Sequence, residues 1–174
     1  MSFAELMWIM GARTRYQLGL FNREEAAMMT KGDVEMNTSD FPAPAEGFVL
    51  THFLVVSDQD RSREFYQSLF DGQVVWERDP VIIKVANSWL ILNVGGGPTD
   101  DKPTVTLTTP PDPNRTSAFL NVRVADIAKA YEEWSAKGAE FLTEPKDHGA
   151  EIRAYIRDPD GHLIEVGQST GILD

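Results

Sequence analysis

The 174-residue chain contains no cysteine. That single absence removes disulfides, thiolate nucleophiles and thiolate metal sites together, so any metal must sit on histidine, carboxylate or water. Cations are scarce: 16 Lys and Arg stand against 27 Asp and Glu, a formal charge of −11. Nucleic acid and anionic membrane surfaces are recognised by clustered cations, and both are set aside as partners. Long apolar runs are missing as well. Glu5 and Arg13 interrupt Phe3 to Leu20, leaving Leu6 to Met10 as the longest unbroken stretch near the N-terminus, too short for a signal segment or a membrane span. A cytoplasmic protein is expected. No nucleophile elbow appears, and Gly95-Gly96-Gly97 is followed at once by Pro98 rather than by a phosphate-binding lysine and helix, so it reads as a flexible turn.

Methionine is absent from everything after residue 36. All six (Met1, Met7, Met10, Met28, Met29 and Met36) lie in the first 46 residues, where Phe3, Leu6, Met7 and Met10 recur at helical spacing. Residues 1–46 are expected to form a helical arm ending in a linker with Pro42 and Pro44, which suits a lid, a dimer arm or a helix packed on the outside of the main domain, residues 47–174.

That main domain shows an internal repeat. Val49 to Val56 predicts a strand, Asp58 to Phe70 a helix stopped by Gly72, and Val74 to Trp76, Val81 to Val85 and Trp89 to Val94 three more strands. The order then recurs: a strand over Ala118 to Val124, a helix from Asp126 to Lys137 ended by Gly138, and strands near Glu140 to Thr143, Ile152 to Arg157 and His162 to Gly167. Asp60 to Gly72 matches Asp126 to Gly138 at one constant spacing. The two modules are placed at 48–94 and 117–168, joined by a tether rich in Gly, Pro, Thr and Asp in which Thr104 to Thr108 can add an edge strand.

Thr51-His-Phe-Leu-Val-Val-Ser-Asp58, Arg61-Ser-Arg-Glu-Phe-Tyr66 and Asp158-Pro-Asp-Gly-His-Leu-Ile-Glu165, set in a duplicated βαβββ pattern, resemble the vicinal oxygen chelate superfamily, which includes glyoxalase I, bleomycin-resistance proteins and extradiol dioxygenases. The likeness covers Val49 to Gln168. It implies an α+β fold in which two paired modules form curved sheets around one cavity, with helices outside. It also implies, for metal-dependent members, four inward ligand positions on the first and last strands of each module. Here those positions fall on Glu165, on Leu92 and Phe119, which cannot ligate, and on Thr51, with His52 one residue out of phase. A one-residue slip turns a strand residue to the opposite face, so His52 is either a ligand rescued by a bulge or a histidine beneath the outer helix with Leu54 and Val56.

A catalytic metal usually takes three protein ligands and an open position. With only His52 and Glu165 as candidate ligands, the expected state is no cofactor, a divalent metal being the alternative. Glu165 is then a candidate general base, or a carboxylate paired with Arg123 or Arg153. His148 is placed in a loop at the cavity mouth as a second proton-transfer candidate, and His162 on the outer face in a structural role. Thr51, Phe53, Trp89, Phe119, Asn121, Arg123 and Tyr155 are the expected ligand-binding set. The preferred reading is a homodimeric small-molecule-binding protein of the glyoxalase/bleomycin-resistance type, holding an apolar or aromatic ligand in the inter-module cavity without a fixed metal. The alternative is a metal-dependent lyase or dioxygenase using His52 and Glu165.

Overall fold

The computed structural model describes residues 40–171. The expected helical arm and its methionines therefore lie, apart from residues 40–46, outside the described residues. From position 52 the chain builds strand β1 (His52–Val55), helix α1 (Gln59–Phe70), β2 (Gln73–Trp76), β3 (Val81–Val85) and β4 (Ser88–Asn93). The second module repeats the order with β5 (Leu120–Arg123), α2 (Ile127–Ala136), β6 (Lys146–Asp147), β7 (Glu151–Arg157) and β8 (Leu163–Ser169). Each module is one four-stranded sheet, ordered β1-β4-β3-β2 and β5-β8-β7-β6, and the two sheets do not join into a closed barrel.

Local chemistry sets both helices. Asp58 caps α1 by accepting from the backbone N–H groups of Asp60 and Arg61, and Asp126 caps α2 by accepting from Lys129. The end of α1 departs from expectation. Asp71, not Gly72, takes the left-handed conformation. Gly72 is needed for close approach, because a Cβ there would come within 2.6 Å of the Ile83 side chain and 3.0 Å of the Tyr66 carbonyl.

Strand alternation separates two faces. On the helix side, Leu54, Val56, Val81, Ile83, Leu90 and Leu92 of the first module share one buried cluster with Ala139, Ile156 and Ile164 of the second. Phe70 of α1 meets Trp134 of α2 edge to face. The modules are therefore joined through a common core on their helix sides.

The turn preceding β8 is the polar part of that junction. Asp160 accepts from the Ser57 backbone N–H and from the side chains of Ser57, Arg61 and Ser62. Asp158 accepts from the Tyr66 hydroxyl, and His162 shares a 2.7 Å hydrogen bond with the Val55 carbonyl, the structural role expected of it. Both recognisable motifs of the sequence, Ser62 to Tyr66 and Asp158 to Gly161, thus meet in one place and hold the modules together. Gly161 closes the turn with φ 89°.

Two expectations are corrected. Glu140 to Thr143 is not a strand; Phe141 makes one isolated bridge to Ile156, and the sixth strand lies further on, at Lys146–Asp147. Nor is Gly95-Gly96-Gly97 simply a flexible turn: Gly96 and Leu107 exchange backbone hydrogen bonds of 3.1 and 2.9 Å, an isolated antiparallel bridge that falls within the Thr104 to Thr108 stretch expected to add an edge strand.

Candidate functional site

The face of the second sheet turned away from the helices carries the polar side chains. Register gives its rows directly, since residues paired across strands share a face. Asn121, Glu165 and Tyr155 form one row across β5, β8 and β7. Arg123, Gly167, Arg153 and Lys146 form the next. Glu151, opposite Ser169, lies one row further from Glu165.

Glu165 is the centre of this arrangement and is only 5% exposed. Its two oxygens have different donors: Asn121 Nδ2 reaches Oε1 at 2.5 Å, and the Tyr155 hydroxyl reaches Oε2 at 2.6 Å. The bond to Glu165, with some burial, raises the Tyr155 pKa and holds the phenol in its donating form. Phe119 packs edge to face against Tyr155, with centroids 6.4 Å apart, and is 44% exposed. The result is a fixed carboxylate beside an aromatic wall, suited to accept a proton or hydrogen bond from a small molecule.

The structure brings together Glu165, Asn121, Tyr155, Phe119 and Arg123, all on this face. Arg123 pairs with Glu151 at 2.9 Å. Phe53 and Trp89 belong to the corresponding face of the first sheet, where Phe53 lies opposite Ile91 and is 47% exposed; Thr51 immediately precedes β1. His148 lies in the loop between β6 and β7, where its backbone N–H donates to the Glu151 carbonyl and its side chain is exposed. Glu151 and Tyr155 are four positions apart along β7, about 13 Å at strand spacing, so His148 is remote from Glu165.

His52 is placed opposite Leu90, on the helix side with Leu54 and Leu92. Burial, and then the nearby His162, lower its pKa. The two residues of the alternative metal site therefore sit on opposite faces of their respective sheets. Register also moves the first module's counterpart of Glu165. Asn121 opposes Glu165 as Phe53 opposes Ile91, so that position is Ile91 and not Leu92, whose side chain is fully buried on the other face.

A divalent metal does not fit these donors. Glu165 already accepts from an amide and a phenol, Phe119, Phe53 and Ile91 cannot ligate, and the first sheet's face adds only Asn93 as a side-chain oxygen donor from β1 and β4. Among the described residues no group of three or more His, Asp or Glu is placed to hold a metal ion.

The residues that sequence reasoning passed over are Glu151 and Lys146. The signal for the first was present in β7, where Glu151, Arg153, Tyr155 and Arg157 alternate with apolar residues.

Two βαβββ units fused through their helix sides, with polar and aromatic side chains on the opposite sheet faces, define a paired-module α+β fold. The model for the glyoxalase/bleomycin resistance protein/dioxygenase superfamily matches residues 49–166, and the chain belongs to that superfamily. It is 30% identical over 120 residues to a lactoylglutathione lyase of Arabidopsis thaliana, an alignment covering 65% of this chain and 41% of the plant protein. The chain thus spans about two fifths of that relative's length. A glyoxalase/bleomycin resistance protein/dioxygenase from Nocardioides shares the fold at TM-score 0.58 and 19% identity, over 87% of this chain and 95% of the other. An antibiotic-binding protein from Streptomyces sp. CB03234 does so at TM-score 0.52 and 18% identity, over 74% and 100%. Among the described residues no helix is long and apolar enough to cross a membrane.

Proposed function

We propose that this protein binds a small apolar or aromatic molecule on the Glu165 face of the second module, without a metal held by its own side chains. The observation that carries the reading is the buried carboxylate itself, held by Asn121 and Tyr155 beside Phe119, with no further ligating side chain in its row. A carboxylate so held orients a ligand's N–H or O–H group, while the aromatic wall takes its apolar body. The antibiotic-binding Streptomyces protein supports the reading only as an example of what this fold can do. A second copy of the chain completes the lining: Phe53, Phe119 and Trp76 are large apolar side chains exposed on the sheets, and apolar surface of this kind is ordinarily covered.

A metal-dependent lyase remains the second reading because of the plant relative's name, but it needs ligands other than His52. Elemental analysis of untagged protein, dialysed and then loaded with Ni, Zn, Mn or Fe(II), separates the two. The expected result is no ion above background, together with a rise in melting temperature with aromatic small molecules that Tyr155→Ala abolishes. Retention of about one ion per chain, lost in Glu165→Ala, overturns the metal-free reading.

A further inference from the structure

Resting on the reading that this face holds the ligand, we infer that the row Arg123–Gly167–Arg153–Lys146 is an oxyanion subsite, so that the ligand is an aromatic or apolar molecule carrying a carboxylate or similar acidic group. Three cations stand in one row across all four strands of the second sheet. In a chain of charge −11 the general field repels anions, so an anionic ligand needs local cations of this kind.

The middle of the row is built for close approach. Gly167 carries no side chain, and the Arg123 guanidinium lies over it: a Cβ at Gly167 would fall within 3.0 Å of Arg123 Cζ and closer still to Nη1. The guanidinium is thereby laid along the sheet toward Arg153. Glu151 sits between the two arginines, 2.9 Å from Arg123 and 3.3 Å from Arg153. One internal carboxylate thus engages one nitrogen of each arginine and leaves their remaining donors uncommitted to it. Arg153 Nε is buried with no hydrogen-bond partner, a donor that wants an acceptor. Two guanidiniums around one carboxylate leave a net positive charge, and a ligand oxyanion beside or in place of Glu151 neutralises it with charge-assisted hydrogen bonds. The next row, about 7 Å further along the strands, holds Tyr155, and Phe119 packs against it from beyond that row, where the ligand's apolar part would lie.

The test is calorimetric titration of the full chain at pH 7 with 2-naphthoate and its neutral counterpart 2-naphthamide. The expected result is naphthoate bound about tenfold more tightly, with an advantage that shrinks as salt rises. Arg123→Gln and Arg153→Gln each remove most of that advantage without moving naphthamide. Glu151→Gln frees both arginines and tightens naphthoate, a gain that a damaged fold does not produce. Equal binding of the two probes, or naphthoate binding unchanged in both arginine variants, overturns the oxyanion subsite. If the probes bind equally and Tyr155→Ala weakens both, the aromatic-ligand reading stands while the subsite falls. No saturable binding of either probe removes both.

Discussion

The hydroxyl of Tyr66, on the first module's helix, donates a 2.9 Å hydrogen bond to Asp158 in the second module's turn, and both side chains are buried. Burial raises the Tyr66 pKa well above the usual phenol value, with the Asp158 charge adding to it, so the donor keeps its proton. Tyr66→Phe leaves a buried carboxylate short of a partner. It is expected to cost about 1–3 kcal/mol, read from urea unfolding, without changing the Glu165 face.

Asp158 itself should shape stability against pH. Burial raises its pKa above the ordinary carboxylate value, while His162 and its hydrogen bonds pull the other way. A raised folded-state pKa contributes stability that is complete below the unfolded value and lost as pH rises through the folded one. Asp158→Asn lacks this titration. Its stability relative to the natural chain should therefore improve from about pH 4 to pH 7, measured by unfolding at each pH; a relative stability that is flat or falls over that range contradicts the assignment.

His52 acts in the opposite sense. Its pKa is lowered, first by burial and then by His162, so its contribution is present above the unfolded value and is lost as pH falls through the folded one. His52→Leu, beside Leu54 and opposite Leu90, should fold and lose less stability than the natural chain between about pH 6.5 and 5. Any binding on the Glu165 face should be untouched by the change.

Two glycines should respond differently to alanine. At Gly95 (φ 76°) a Cβ meets the Leu107 carbonyl oxygen at 2.5 Å and Val55 Cγ1 at 2.7 Å, so backbone conformation and space both resist it. A loss of at least about 1–2 kcal/mol is expected. At Gly167 the obstacle is the far end of Arg123, which can swing aside, so Gly167→Ala should change the melting temperature little. Comparable thermal melts for the two variants would contradict this contrast.

Much of this was legible beforehand because it rests on local rules. Asp58 and Asp126 mark helix starts, and Val81 to Val85 is apolar and β-branched enough to be a strand in any setting. Glu165 was recognisable only through the family resemblance, from its place after the Asp158 turn. What failed was register and pairing. The short strand Lys146–Asp147 has no apolar pattern of its own and exists because it pairs with β7. Arg123 was a candidate partner for Glu165, yet it lies across Gly167 and pairs with Glu151, a choice that depends on which row each residue occupies. The counterpart of Glu165 in the first module was displaced by one residue for the same reason, from Leu92 to Ile91.

The sequence by itself determined the duplicated βαβββ order, the helix starts and the lack of thiol chemistry, because these follow from residue type and spacing along the chain. Only the tertiary structure decided that His52 and Glu165 occupy opposite faces, that the two recognisable motifs meet in one junction, and that three cations share a row with a glycine. Each of those depends on strand register, which is fixed when whole faces are buried against one another and is not written in any one segment.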